Sequence, residues 1–229
     1  MKKIIIRLTG LVFLLPMVSY AQNCNVSNIA PKVIINIKPL AIDQSKNAAY
    51  LTQISRDRGD HSPIGMYTAD KNIRILPSFT VKTNRFTNNS CAELNEVKII
   101  IDVTPIVYLS VESQQYQCTK NRVYAHEMTH YKIEMDALSN LNTYLTITAS
   151  QRYNVVLNGS NEKEISQNID KINKRVIDET FDFIRKHTLP YHDQLDTIEN
   201  YKKESSYCSN IENLYLSRLI KGGTLGVLK

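Results

Sequence analysis

The sequence predicts an α+β fold: an N-terminal antiparallel or mixed sheet packed on a helix with an HExxH motif, followed by a long C-terminal helical hairpin. Runs rich in β-branched residues, typical of strands, end at about residue 111. The motif at 126–130 has flanking apolar residues at helical spacing. Further along, apolar residues recur at three- and four-residue steps to about residue 187, as on an amphipathic helix.

The first 21 residues have the pattern of an export signal. Lys2, Lys3 and Arg7 precede a mainly apolar stretch at 8–18, and a small-x-small cleavage site follows at 19–21. The apolar stretch is too short and too interrupted for a stable membrane span. We therefore expect a mature chain that begins near residue 22 and is periplasmic or secreted.

The mature chain is long enough for one sizeable core, and its charge is nearly balanced. The whole chain has a net charge of +6, and removal of the three basic residues of the signal leaves +3. Basic residues are scattered among acidic ones, so we expect neither nucleic acid nor a membrane surface as a partner. We expect a single domain over 22–229, with a strand-rich part at 22–118, a helical part at 119–208 that holds the metal site, and a tail at 209–229. The sequence does not define the oligomeric state.

All four cysteines lie in the mature part of the chain. An even number of cysteines in an exported protein indicates disulfides, and four cysteines allow three pairings. We expect Cys91 to pair with Cys118, because they flank a strand-rich segment that should fold back on itself. Cys24 would then pair with Cys208 and join the two ends of the chain. The sequence has no CxxC spacing that would favour metal ligation by cysteines.

The strand-rich part begins with a strand at 32–38, bounded by prolines, and a short helix at 41–54. Further strands are predicted at 72–81 and 96–111. The segment 107–111 alternates apolar and polar residues. It has two interpretations: an edge strand that holds an extended peptide by strand addition, or an ordinary half-buried strand.

The helical part begins with the motif helix, which runs from about Thr119 to beyond Leu141. A turn signal at 158–160 separates it from a second helix that ends near His187, and Pro190 breaks or restarts the helical pattern. Another helical stretch is expected before Cys208.

The motif itself indicates a zinc centre. His126 and His130 are four residues apart and share a helix face, so both imidazoles can bind one ion, and Glu127 is beside them as a general base. A catalytic zinc site usually has three protein ligands and one open position for water.

The third ligand requires a geometric argument. If the two long helices pack antiparallel about the turn at 158–160, the motif is level with the chain near residue ~189, which favours His192 as the third ligand. Asp196, one turn beyond, could orient that imidazole or share the ion. Behind His192 we rank His187, Asp193 and Asp196. Glu134 lies about 12 Å from His126 along a straight helix, and Asp136 lacks the preceding turn that it needs. The remaining carboxylates considered are Glu162, Glu164 and Glu179.

The block 123–130, together with 107–109, Cys118 and more loosely 192–201, resembles the zincin metallopeptidases. More narrowly, it looks like the small exported bacterial proteins that are predicted to be zinc-dependent proteases. The resemblance covers about a third of the mature chain. It implies His126 and His130 as zinc ligands and Glu127 as the base. No third-ligand motif of the zincins matches.

These observations predict an exported zinc-dependent peptidase that acts on peptides or proteins. Tyr191 or His187 would stabilise the oxyanion. Two alternatives remain open: a non-catalytic exported or envelope-associated binding protein on the same scaffold, and an amidase of cell-wall peptides.

Overall fold

The computed structural model describes residues 24–26, 28–55, 63–84 and 89–212. The predicted signal peptide, 1–21, and residues 213–229 of the predicted tail lie outside these ranges. The α+β class is confirmed: a five-stranded sheet is combined with several helices, of which the longest are C-terminal. Within the described part of the chain, no helix has both the length and the apolar character needed to cross a bilayer.

The first half of the described chain is mostly strands with one short helix, and the second half is almost wholly helical. The strands are β1 (Lys32–Ile37), β2 (Ala41–Asp43), β3 (Gly65–Thr83), β4 (Ser90–Leu109) and β5 (Leu157–Gly159). The helices are α1 (Ala48–Ile54), α2 (Gln117–Tyr153), α3 (Glu162–Leu195) and α4 (Ile198–Ser205).

Strand β4 is the centre of the sheet. β3 pairs with it antiparallel, from Gly65 opposite Leu109 to Thr83 opposite Ser90. Because β3 occupies one edge of β4 over its whole length, the parallel strands β1 and β2 and the antiparallel β5 follow one another along the other edge. Val107 therefore has neighbours on both sides, Tyr67 and Ile42, and is not on an edge. The structure thus favours the interpretation of 107–111 as an ordinary sheet strand.

One face of β4 packs against α2 and α3 and forms one side of the hydrophobic core. Alternate residues from Val97 to Val107 point to this face and are fully buried, as the two-residue period of a strand requires. The facing helix surfaces are apolar at helical spacing. On α2 they include Leu138, Leu141, Leu145 and Ala149, and on α3 they include Ile165, Ile169, Val176 and Ile184. This packing fixes α2 and α3 against the sheet.

Two local predictions of secondary structure are wrong. The predicted helix at 41–54 is instead β2 followed by α1, because Asn47 caps α1 by accepting a hydrogen bond from the Tyr50 N–H. The helix α3 also continues through Pro190 to Leu195. A proline inside a helix lacks the N–H for one helical hydrogen bond, and its ring crowds the carbonyl one turn earlier. The buried Thr188 and the contact of His192 with α2 help to offset that loss.

The predicted disulfide pairing is wrong as well. Cys24 pairs with Cys91, and Cys118 pairs with Cys208, with Cα separations of 6.1 and 5.8 Å. The segment after Cys91 does not fold back, because β4 is a single strand of 20 residues. Its two ends are about 60 Å apart at the usual rise per residue. The chain returns instead through α3 and α4, which place Cys208 beside the first turn of α2.

Candidate metal centre

Helix α2 carries both motif histidines on its buried face. His126 is 4% exposed and His130 is 8% exposed. The four-residue spacing places the two rings on one side of the helix, and their Nε2 atoms are 3.2 Å apart. Both Nε2 atoms therefore face the same point.

Asp196, the C-cap residue of α3, provides a third possible ligand atom at the same point. Its Oδ1 lies 3.0 Å from Nε2 of His126 and 3.0 Å from Nε2 of His130. A tetrahedral ion with bonds of about 2.0–2.1 Å holds its ligand atoms about 3.3 Å apart. The three atoms are spaced almost as such an ion requires, so this group could hold a metal.

Tyr201, on α4, lies beside the same three atoms. Its hydroxyl donates a hydrogen bond to Oδ1 of Asp196 at 2.9 Å and is 3.3 Å from Nε2 of His126. Its ring stacks on the His126 ring, with the centroids 4.9 Å apart. A hydroxyl is thus fixed at the edge of the candidate metal site.

The other nitrogen of each motif histidine also has a partner. Nδ1 of His126 lies 3.2 Å from a carboxylate oxygen of Glu204. Nδ1 of His130 lies 2.7 Å from Nδ1 of His192. His192, the predicted third ligand, is thus on the side of the His130 ring opposite to Asp196. Among the residues that the structure describes, the candidate metal group consists of His126, His130 and Asp196 without His192.

Glu127 is buried next to this group, with 5% of its surface exposed. Burial raises the pKa of Glu127 to about 7, although the nearby His126 and His130 and the backbone N–H of Tyr67 lower it in part. A carboxyl with a pKa close to 7 can both accept and release a proton at neutral pH, which suits a general base.

In the metal-free protein the site forms a buried ionic cluster. Burial lowers the pKa of His126, but the hydrogen bonds to Asp196 and Glu204 outweigh it and raise that pKa to about 10. Burial raises the pKa of Asp196, whereas hydrogen bonds from His126, His130 and Tyr201 hold it well below its ordinary value. Protonated His126 therefore supplies the positive charge that balances Asp196 when no metal ion is bound.

A second buried charge pair lies one turn further along α2. Glu134 and Lys71, on β3, form an ion pair at 2.6 Å, with both side chains largely buried. Glu134 also raises the pKa of the Tyr67 phenol, which burial raises most. Because Glu134 pairs with Lys71, it joins α2 to the sheet behind the metal group.

The other predicted candidates have their own partners or face solvent. The His187 ring stacks on Phe183, and its Nδ1 lies 2.8 Å from the Phe183 carbonyl oxygen. Tyr191 is 59% exposed. Glu179 pairs with Arg152, and Glu164 accepts hydrogen bonds from Ser160. Neither predicted oxyanion donor, His187 or Tyr191, has a described contact with the metal group.

Two residues of the site were missed by the sequence analysis. Tyr201 and Glu204 are three residues apart, so they share one face of α4. Two features of the sequence could have indicated these residues: their spacing shortly after Asp196, and Cys208, whose disulfide joins the end of α4 to α2.

Comparison of the chain with protein-family models, with curated proteins and with solved structures gave no significant match.

Proposed function

We propose that the chain is an exported zinc-dependent peptidase with His126, His130 and Asp196 as metal ligands. The observation that carries this proposal is the convergence of two imidazole nitrogens and one carboxylate oxygen, 3.0 to 3.2 Å apart, beside the buried Glu127. Two imidazoles and a carboxylate are a donor set that suits zinc. Export is supported by two disulfides, which form in oxidising compartments.

Bound at these three residues, zinc would supply a Lewis acid that polarises a carbonyl and lowers the pKa of a water. Glu127 would take the proton of the attacking water and pass it to the leaving amine. Burial raises the pKa of this carboxyl in the metal-free site, and a bound zinc would lower it again, so that the carboxylate form is available to accept the proton.

Tyr201 is the best-placed donor for the oxyanion. Its hydroxyl already lies within 3.3 Å of two metal-binding atoms. A small rotation would direct it from Asp196 to the carbonyl oxygen of the scissile peptide bond. The Tyr201 ring is held on His126 during that change.

The substrate would approach from the side of Asp196. The side chain of Asp196 is 41% exposed, compared with 3% for His126 and 10% for His130. Helix α2 and the sheet close the opposite side of the centre.

The test is hydrolysis of a diverse peptide library by the zinc-loaded mature chain, followed by mass spectrometry. We expect wild type to cleave and Glu127→Gln to cleave about 100- to 10,000-fold more slowly while it retains zinc. Glu162→Gln, at the exposed start of α3, is the matched control and should cleave as wild type does. A wild type that binds zinc but cleaves nothing in the library would overturn the enzymatic proposal and favour a binding protein.

A further inference from the structure

We propose that Glu204 and His192 are positioning residues of the metal centre, which fix the proton of each ligand imidazole on Nδ1 and leave both Nε2 atoms free to bind the metal. This inference rests on the proposed metal centre and deepens it. It assigns a role to two residues that flank the three ligand atoms without belonging to them.

A neutral imidazole has one protonated nitrogen and one lone pair, and only the lone pair can bind a metal. The proton of a free histidine exchanges between Nδ1 and Nε2, so an unsupported ring offers Nε2 for only part of the time. A hydrogen-bond acceptor placed at Nδ1 selects the tautomer that the metal requires.

Glu204 is such an acceptor for His126. Its two carboxylate oxygens lie 3.2 and 3.4 Å from Nδ1 of His126. An ionised carboxylate can only accept, so Nδ1 must be the donor in this contact. In the metal-free protein Nε2 of His126 also donates, to Asp196 at 3.0 Å. A metal would displace this Nε2 proton, while Glu204 keeps the proton on Nδ1.

His192 serves His130 in a different way, because both contacting atoms are imidazole nitrogens. The two Nδ1 atoms are 2.7 Å apart, so one must donate and the other accept. Nε2 of His130 faces Asp196 and His126, where a metal needs a lone pair. With a metal on Nε2 of His130, the shared proton would be on Nδ1 of His130, and His192 would accept it with its own proton on Nε2.

The two partners reach the centre from separate helices. His192 is on α3, whereas Glu204 is on the short α4, which ends close to the Cys118–Cys208 disulfide. A helix of 8 residues is not stable alone, so the nearby disulfide and the contacts of Tyr201 with His126 and Asp196 help to keep Glu204 at His126.

The first experiment measures zinc affinity by competition with a chelating dye. We expect Glu204→Leu to raise the Kd for zinc about 10- to 100-fold, as the loss of a hydrogen-bond partner of a ligand does elsewhere. Glu204→Gln keeps an amide oxygen that can accept and should weaken binding less. Glu199→Leu, exposed on the same helix, is the matched control and should bind as wild type does.

The same logic separates a positioning role from ligation at His192. His192→Gln retains an acceptor for the Nδ1–H of His130 and should bind zinc nearly as wild type does, whereas His192→Leu should bind about 10- to 100-fold more weakly. Equal weakening in both variants would overturn the positioning role, because an acceptor would then not be enough.

A direct readout needs no variant. In the zinc-loaded wild type, ¹⁵N NMR of the imidazoles should show His126 and His130 protonated at Nδ1 and metal-bound at Nε2. Metal binding through Nδ1 of either ring would overturn the inference. Failure of the proposed function is distinguishable, since a wild type that binds no zinc removes the centre itself, whereas unchanged affinity in Glu204→Leu removes only the positioning role.

Discussion

Gly65 lies directly against Glu127 at the junction of β3 and α2. A Cβ atom on Gly65 would be 2.7 Å from Oε1 of Glu127 and 2.4 Å from Cγ1 of Val123. No side chain fits there without displacing one of these groups. The absence of a side chain at residue 65 therefore allows the buried carboxyl to remain in place.

We predict that Gly65→Ala destabilises the fold by about 1–3 kcal/mol, because it overpacks a close contact. The same substitution should slow hydrolysis more than this loss of stability alone would, because it moves Glu127. Urea unfolding and peptide cleavage measure the two effects. Gly159→Ala is the matched control: its Cβ would be 3.0 Å from Ile165, far from the motif. Cleavage by Gly65→Ala at the level of Gly159→Ala would contradict the prediction.

The hydroxyl of Tyr201 provides a second prediction. Tyr201→Phe keeps the ring that stacks on His126 but loses the donor, so kcat should fall about 100-fold or more while zinc affinity changes little. Tyr191→Phe removes a hydroxyl from a side chain that is 59% exposed and should leave kcat unchanged. A normal kcat in Tyr201→Phe would assign the oxyanion contact to another group.

The two disulfides should differ in their effect on the metal centre. Replacing Cys118 and Cys208 with serine frees the end of α4 and should weaken zinc binding, because Tyr201 and Glu204 lose their constraint. Replacing Cys24 and Cys91 removes a link to the start of β4 and should lower stability without changing the zinc Kd. Zinc competition and thermal unfolding of both double variants test this difference, and equal zinc affinities would contradict it.

Zinc binding should release protons. Because the pKa of His126 is raised to about 10, its ionised form stabilises the metal-free fold fully below pH 6.5 and progressively less as the pH rises towards 10. The metal requires the neutral ring, so binding at about pH 8 should release about one proton. Titration calorimetry in two buffers with different ionisation enthalpies measures this number. Glu204→Gln should release fewer protons, since it removes one cause of the raised pKa; equal binding enthalpies in both buffers would contradict the prediction.

The motif helix and the three-and-four spacing of α3 could be read from the sequence because local periodicity determines which helix face is buried. The third metal-binding group could not be read as reliably, because it depends on how two long helices are aligned. Equal spacing about the turn places the motif level with residue ~189, but the observed contacts pair His126 with Asp196 and His130 with His192. The start of α3 at Glu162 is therefore not level with the end of α2 at Tyr153, as equal spacing had assumed.

The disulfide pairing was predicted wrongly for a related physical reason, because it depends on contacts between distant residues. Whether β4 is one strand or two depends on its partner β3, a contact made between distant residues and not by local preference. Once β4 is continuous, Cys91 and Cys118 are at opposite ends of the sheet.

Zinc binding by the purified mature chain, compared between wild type and Asp196→Ala, tests the central claim most directly. Asp193→Ala, an exposed neighbour of the same chemistry, is the matched control. We predict one zinc per wild-type chain, unchanged affinity in Asp193→Ala, and a loss of at least about 100-fold in Asp196→Ala, more than the loss of a partner of a ligand causes. A wild type without zinc, or an Asp196→Ala variant that binds zinc as tightly as wild type, would contradict the assignment.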